Sequence, residues 1–339
     1  MTALRPDVRE PVSSPRTRRT AVSHFTGPIT GVWLAALAVT VLGWIVVAAR
    51  GGDFLTVTTV VAILQNCVAL GLVAAGQTVV ILTGSLDLSV AYLISLGTLV
   101  AAETMESGSV LLAVLAVLAL SAAAGLVNGL IITGLKVNAF IATLGTAFIL
   151  RGWIEDNYTG PAGKVPASFQ HLGYDRMGPV PVSVFLLLAV AAVVWLITRR
   201  TTPGHHMYAT GGDEHAARLS GVRTRRTVVL AHILCSLCVG AAALFLAARL
   251  GAGAPWAGTE ARYDLESIAA VVLGGTALAG GRGGVTGTLG GVLVLSVLDN
   301  VFNQLGVDPF FKNVVRGVVI IAAVAVYARG RRTPQGRTA

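Results

Sequence analysis

RRTTPGHHMYATGGDEHAARLSGVRTRRT, residues 199–227, is a polar stretch set between two strongly apolar ones. Six of the chain's 25 lysines and arginines fall in it: Arg199, Arg200, Arg218, Arg223, Arg225 and Arg226. Gly211 and Gly212 are expected to break the chain and Asp213 to cap a helix start. Glu214-His215-Ala216-Ala217-Arg218-Leu219 then favours a short helix, and Gly221 is placed to end it. A short helix held between two long apolar runs offers a surface for docking.

The flanks decide the class. The 339 residues are 54% hydrophobic and 12% charged, with mean hydropathy +0.76. Soluble domains carry about 25% charge. The apolar residues gather in runs such as 32–49, 110–132 and 182–197, and runs near twenty residues cross a bilayer as helices. The expected fold is all-α, a polytopic transmembrane bundle forming a single domain over residues 29–329.

Taken in order, residues 1–28 hold five arginines and four prolines and read as a disordered cytoplasmic arm. The run 29–49 exceeds the about 7–15 apolar residues of a signal peptide, so it is expected to be a retained first span. Further spans are expected at about 57–82, 90–102, 110–132, 139–153, 182–197, 228–248, 265–279, 285–305 and 313–328. The eighth of these ten is short and interrupted. An external loop is expected over 154–181, and a cytoplasmic tail over 330–339.

An even number of crossings puts both termini on one side. With the N-terminus taken as inside, 17 of the 25 lysines and arginines fall on the cytoplasmic side, and that bias supports the orientation. The net charge of +9 is therefore a topology signal, not the footprint of a nucleic-acid partner.

No enzyme constellation and no metal set stands out. Gly160–Lys164 has Tyr158 where a phosphate loop needs glycine, and Val165 follows the lysine. His205-His206 reads as a solvated loop pair. Cys235 and Cys238 lie inside an apolar helix and read as small packing residues, and Cys67 stands alone.

Polar residues inside the spans say more, because burying them in lipid costs free energy. Gln65, Asn66, Gln77, Asn128, Asn300 and Asn303 are amides, suited either to neutral hydroxylated solutes or to interhelical bonding. Asp87, beside Gly84, Ser85 and Ser89, reads as a helix-start cap at a break. Gly274-Gly275 and Gly280–Gly284 suggest a broken helix near a pathway, with close packing through small residues as the plainer alternative.

Four stretches resemble the membrane permease subunit of bacterial sugar ABC importers of the ribose/xylose/arabinose/galactose class. They are VALGLVAAGQTVVILTGSLDLSV (68–90), GLVNGLIITGLKVNAFIATLGTAFILRG (125–152), MYATGGDEHAARLSGV (207–222) and YDLESIAAVVLGGTALAGGRGGVTGTLGG (263–291). The chain departs from the common family pattern at Ser85-Leu86, at Asn138-Ala139 and at Asp264. The resemblance implies a homodimer in the bacterial cytoplasmic membrane, with no cofactor of its own. Cytoplasmic ATP-binding subunits would hydrolyse ATP, and an extracytoplasmic binding protein would deliver a monosaccharide, a pentose such as ribose or xylose. It places the ATPase-coupling element on Glu214, Ala216, Ala217 and Gly221. The alternatives are a branched-chain amino-acid permease of the same broad family and an ion-coupled carrier.

Overall fold

The computed structural model describes residues 28–308, 310–312, 314–315 and 317–318. The arm up to residue 27, the tail and most of the tenth span lie outside the described residues.

Two helices form the centre, α2 (Val57–Leu82) and α10 (Thr224–Leu250). Every residue of α2 from Cys67 to Leu82 is buried, as suits a helix that is apolar on all faces. Thr56 caps its start by accepting from the Thr59 amide. Around this pair stand α1 (Pro28–Ala49), α3 (Val90–Ser107), α4 (Val110–Gly134), α5 (Ala139–Asn157), α7 (Val182–Arg200), α11 (Tyr263–Leu273) and α12 (Val285–Gln304). Helix α2 packs on α7, α10, α11 and α12, while α10 also packs on α3 and α4, and α1 lies against α12. Leucines, isoleucines and phenylalanines of α1, α4, α5 and α7 point outward, as a lipid-facing rim requires.

Inside a bilayer apolar burial does not drive helices together, so close contact must. Small residues provide it here. A Cβ on Gly76 would stand 2.7 Å from the Cys235 carbonyl oxygen, and one on Gly129 2.7 Å from Val229 Cα. Cys235 and Cys238 are buried free thiols at the first of these crossings.

The expected segments meet the structure closely, but not all as simple spans. Among the described residues six helices are long and apolar enough to cross a membrane: α1, α2, α4, α7, α10 and α12. Helices α3 and α5 fill the expected third and fifth positions and carry charged residues toward one end, Glu103 and Glu106 in one, Arg151, Glu155 and Asp156 in the other. The eighth segment stops as a helix at Leu273, where Gly274 packs on the backbone of Gly287. The stretch expected as an external loop folds into α6 (Ala167–Tyr174) and a hairpin of β1 (Arg176–Met177) and β2 (Val180–Pro181).

The loops divide between two ends. At one, Ala162 and Gly253 exchange backbone hydrogen bonds, Tyr174 Oη donates to the Arg249 carbonyl at 2.7 Å, and Gln65 Nε2 donates to the Gly173 carbonyl at 3.2 Å. At the other, the Gly281 amide donates to the Leu82 carbonyl at 3.0 Å, and Lys136 lines one cavity with Glu214 and Arg225. The second end gathers the basic loops.

Candidate functional site

The loop quoted first is more helical than its sequence suggested. Gly211 and Gly212 do not break the chain. They finish α8 (Thr202–Gly212), which also contains His205 and His206. Thr201 caps α8 and Pro203 sits in its first turn, where a missing amide hydrogen costs nothing. Gly211 serves contact, since a side chain there would collide with the Leu82 carbonyl oxygen and stand 2.7 Å from the Gly281 amide nitrogen, whereas a Cβ on Gly212 would meet nothing within 4 Å. Tyr208 Oη and Arg199 Nη2 each donate to the Gly283 carbonyl at 3.0 Å. Helix α8 is thus seated on the end of α2 and on the glycine loop that precedes α12.

Helix α9 (Glu214–Leu219) follows directly. Asp213 Oδ1 accepts from the Ala216 amide at 2.9 Å, the expected cap. Gly221 closes the helix with φ +85° and its amide on the Arg218 carbonyl. Glu214 accepts from Arg218 and, at 3.1 Å, from Thr224 Oγ1 at the start of α10. Ala217 is buried, while Leu219 is 78% exposed. An apolar side chain that far out on a polar loop is a feature the residue pattern alone did not single out.

A second constellation lies deeper, where α2 gives way to α3. Asp87 Oδ1 accepts from the Ser89 amide at 3.0 Å and from Ser89 Oγ at 2.6 Å, so the aspartate organises the start of α3 from two residues before its N-cap, which is Ser89 and not Asp87. Asn128 Nδ2 from α4 donates to Asp87 Oδ2 at 3.3 Å and to Ser89 Oγ at 2.9 Å. Thr146 Oγ1 from α5 donates to Asn128 Oδ1 at 2.6 Å. Gln77 Nε2 from α2 donates to the Asp87 carbonyl at 3.3 Å.

His232 of α10 completes the network, with Nδ1 3.2 Å from Asp87 Oδ2 and Nε2 2.9 Å from Ser85 Oγ. Asp87, Asn128 and His232 are all fully buried. Carboxylate, imidazole and hydroxyl are connected as in a hydrolase triad, but the burial keeps solvent from all three. What the arrangement can do is pin five elements together, because each buried polar group would be costly unpaired.

The remaining candidate residues lie elsewhere. Asn66 lines a cavity of about 220 Å³ between α2, α11 and α12 with Tyr263, Glu266, Ser296 and Asp299. Asn300 accepts from Gln304 Nε2 at 2.9 Å, and Asn303 is exposed and donates to Asp299. Gln65 ties α2 to α6 at the end opposite the basic loops. Gly274 and Gly275 terminate α11, the latter with φ +85°. Among the described residues no group of His, Cys, Asp and Glu is placed to hold a metal ion.

The chain matches, over residues 59–324, the model of a family described as the permease component of branched-chain amino-acid transport systems. It belongs to this permease family. The ribose import permease protein of Escherichia coli strain K12 is 39% identical to it over 289 residues, which cover 83% of this chain and 89% of that one. The ribose import permease protein of Bacillus subtilis strain 168 is 36% identical over 303 residues, 88% of this chain and 91% of its own. The L-arabinose transport system permease protein of E. coli strain K12 is 38% identical over 256 residues, 75% and 77%. No solved structure gives a significant match.

The permease is accordingly a multi-pass protein of the cytoplasmic membrane, which agrees with its apolar helices. His232 and Leu219 are the residues that reading the chain left out. A histidine within the apolar run of α10 is an intramembrane ionisable residue, and that alone marks it.

Proposed function

We propose that this permease is the membrane subunit of an ATP-driven importer and that two copies enclose a pathway for a monosaccharide, a pentose such as ribose or xylose. The observation that carries the proposal is α9: a capped helix at the basic end, presenting Leu219 outward and resting through α8 on the end of α2. A separate ATP-binding subunit would grip Leu219 and the exposed face from Glu214 to Gly221. Its closure would displace α8 and with it the last turn of α2, biasing the bundle between outward- and inward-facing states.

The sugar reading is supported by the relatives, named for ribose and arabinose, and by the cavity at Asn66. Hydrogen-bonding groups line that cavity, including Tyr263, Glu266 and Asp299. Such a lining suits hydroxyls better than a branched aliphatic side chain. An external binding protein would deliver the solute.

The test is the ATPase rate of the purified assembly in lipid, with its binding protein and a panel of pentoses, hexoses and branched-chain amino acids. Stimulation by a pentose is expected. Stimulation by an amino acid alone would move the permease to the amino-acid branch of its family. Failure to assemble with any ATPase would refute the coupling role of α9.

A further inference from the structure

Helices α4 and α10 cross tightly at Gly125 and Gly129, where added Cβ atoms would meet the backbone of Ile233 and Val229 at 2.7 Å. Toward the basic end they diverge, leaving a cavity of about 450 Å³ lined by Leu130, Gly134, Val229 and Leu230, with Arg225 and Arg226 on its border. Leu130 and Leu230 are 53% and 44% exposed, so the slot opens on the face that meets lipid. Arg225 also borders an adjoining cavity of about 630 Å³ that holds Lys136.

The charges around the slot are unbalanced. Among the described residues Arg225, Arg226 and Lys136 make no ion pair. Glu214, the acidic residue of the adjoining cavity, is already engaged by Arg218 and Thr224. An apolar wedge at membrane depth, ending in uncompensated cations at the interface, fits one chemistry: acyl chain below, phosphate above.

We propose that this wedge binds a phospholipid with an anionic headgroup, the chain lying between Leu130 and Leu230 and the phosphate meeting Arg225 and Arg226. The site is independent of the transported solute.

The test uses the full-length permease in lipid nanodiscs of mixed phosphatidylglycerol and phosphatidylcholine, released gently and weighed by native mass spectrometry. Retained phosphatidylglycerol should exceed phosphatidylcholine by roughly 25-fold, at about fivefold for each arginine near an anionic lipid. The double variant Arg225→Gln/Arg226→Gln should lose that preference. Leu130→Trp, which fills the slot and keeps both arginines, should lose the bound lipid itself. Equal retention of the two lipids by the unaltered chain overturns the proposal without any variant. So does a Leu130→Trp chain that still holds phosphatidylglycerol. A double variant that keeps its lipid preference but no longer captures an ATP-binding subunit would assign the arginines to that protein instead.

Discussion

Replacing Asp87 by alanine should destabilise the permease by about 3 kcal/mol, and the network sets that magnitude. The carboxylate takes the Ser89 amide, Ser89 Oγ, Asn128 Nδ2 and the His232 ring, so alanine removes four hydrogen bonds in a site with no exposure, leaving Asn128 Nδ2 and Ser89 Oγ their bond to each other. Side-chain hydrogen bonds inside membranes average about 0.6 kcal/mol each, which puts the four near a floor of about 2.4 kcal/mol. The cost of removing one member of a fully ionic buried pair, about 3–5 kcal/mol, is an upper bound on the loss.

The assay is unfolding in mixed micelles with increasing dodecyl sulfate, with Thr146→Val as reference. That variant removes the Thr146 hydroxyl, whose proton goes to Asn128 Oδ1 at 2.6 Å and more loosely to the Ala142 carbonyl at 3.2 Å, and should cost about 0.6 kcal/mol. Asp87→Leu combined with His232→Leu should cost less than the two single variants added together, because neither partner is then left buried without the other. If Asp87→Ala costs no more than Thr146→Val, the network does not hold the five elements together and the reasoning fails.

Three further outcomes follow from the coupling region. Gly221→Arg should reach the membrane yet abolish uptake: its φ of +85° costs about 1–2 kcal/mol for a non-glycine residue, nothing lies within 4 Å to clash, and the added cation sits on the proposed docking face. Normal uptake would detach α9 from coupling. Leu219→Glu should leave thermal stability unchanged, because the side chain is exposed, and should weaken capture of the ATP-binding subunit roughly tenfold or more, as an apolar anchor would. Asp213→Ala removes the cap on the Ala216 amide and costs about 1 kcal/mol locally, so amide exchange at Ala216 should quicken roughly fivefold with no change at α2.

Much of the fold was legible because lipid imposes length and apolarity together. The start of α2 at Val57, that of α4 at Val110 and that of α7 at Val182 follow from where polar residues stop. The cap at Asp213 and the end at Gly221 followed from local chemistry. Helix α8 did not. Gly211 and Gly212 have low helix propensity, and the value of lacking a side chain against Leu82 shows only once α2 is in place. The buried network was half visible: Asp87, Gln77 and Asn128 stood out as polar residues in apolar runs. Their meeting with His232, 145 residues away from Asp87, is a product of packing, which spacing along the chain does not encode.

Where Gly211 meets Leu82 and Gly281, the contacts of α8 are backbone against backbone. Gly281 donates to the Leu82 carbonyl, and Gly211 fills the space beside both. No side chain there can change rotamer to absorb a push. A displacement of α8 must therefore carry the end of α2 and the glycine loop with it, and the compliance has to lie at extended Asp213, with φ −159° between α8 and α9, or beyond Ser85, where the network begins. Spin labels on Ala209→Cys and Arg282→Cys, one on α8 and one in the exposed loop beside it, should keep one distance with and without ATP in the assembled transporter. Labels on Ala209→Cys and Leu219→Cys should change theirs. If the first pair moves and the second does not, α8 slides over α2 and the glycine junction is a bearing, not a rigid link.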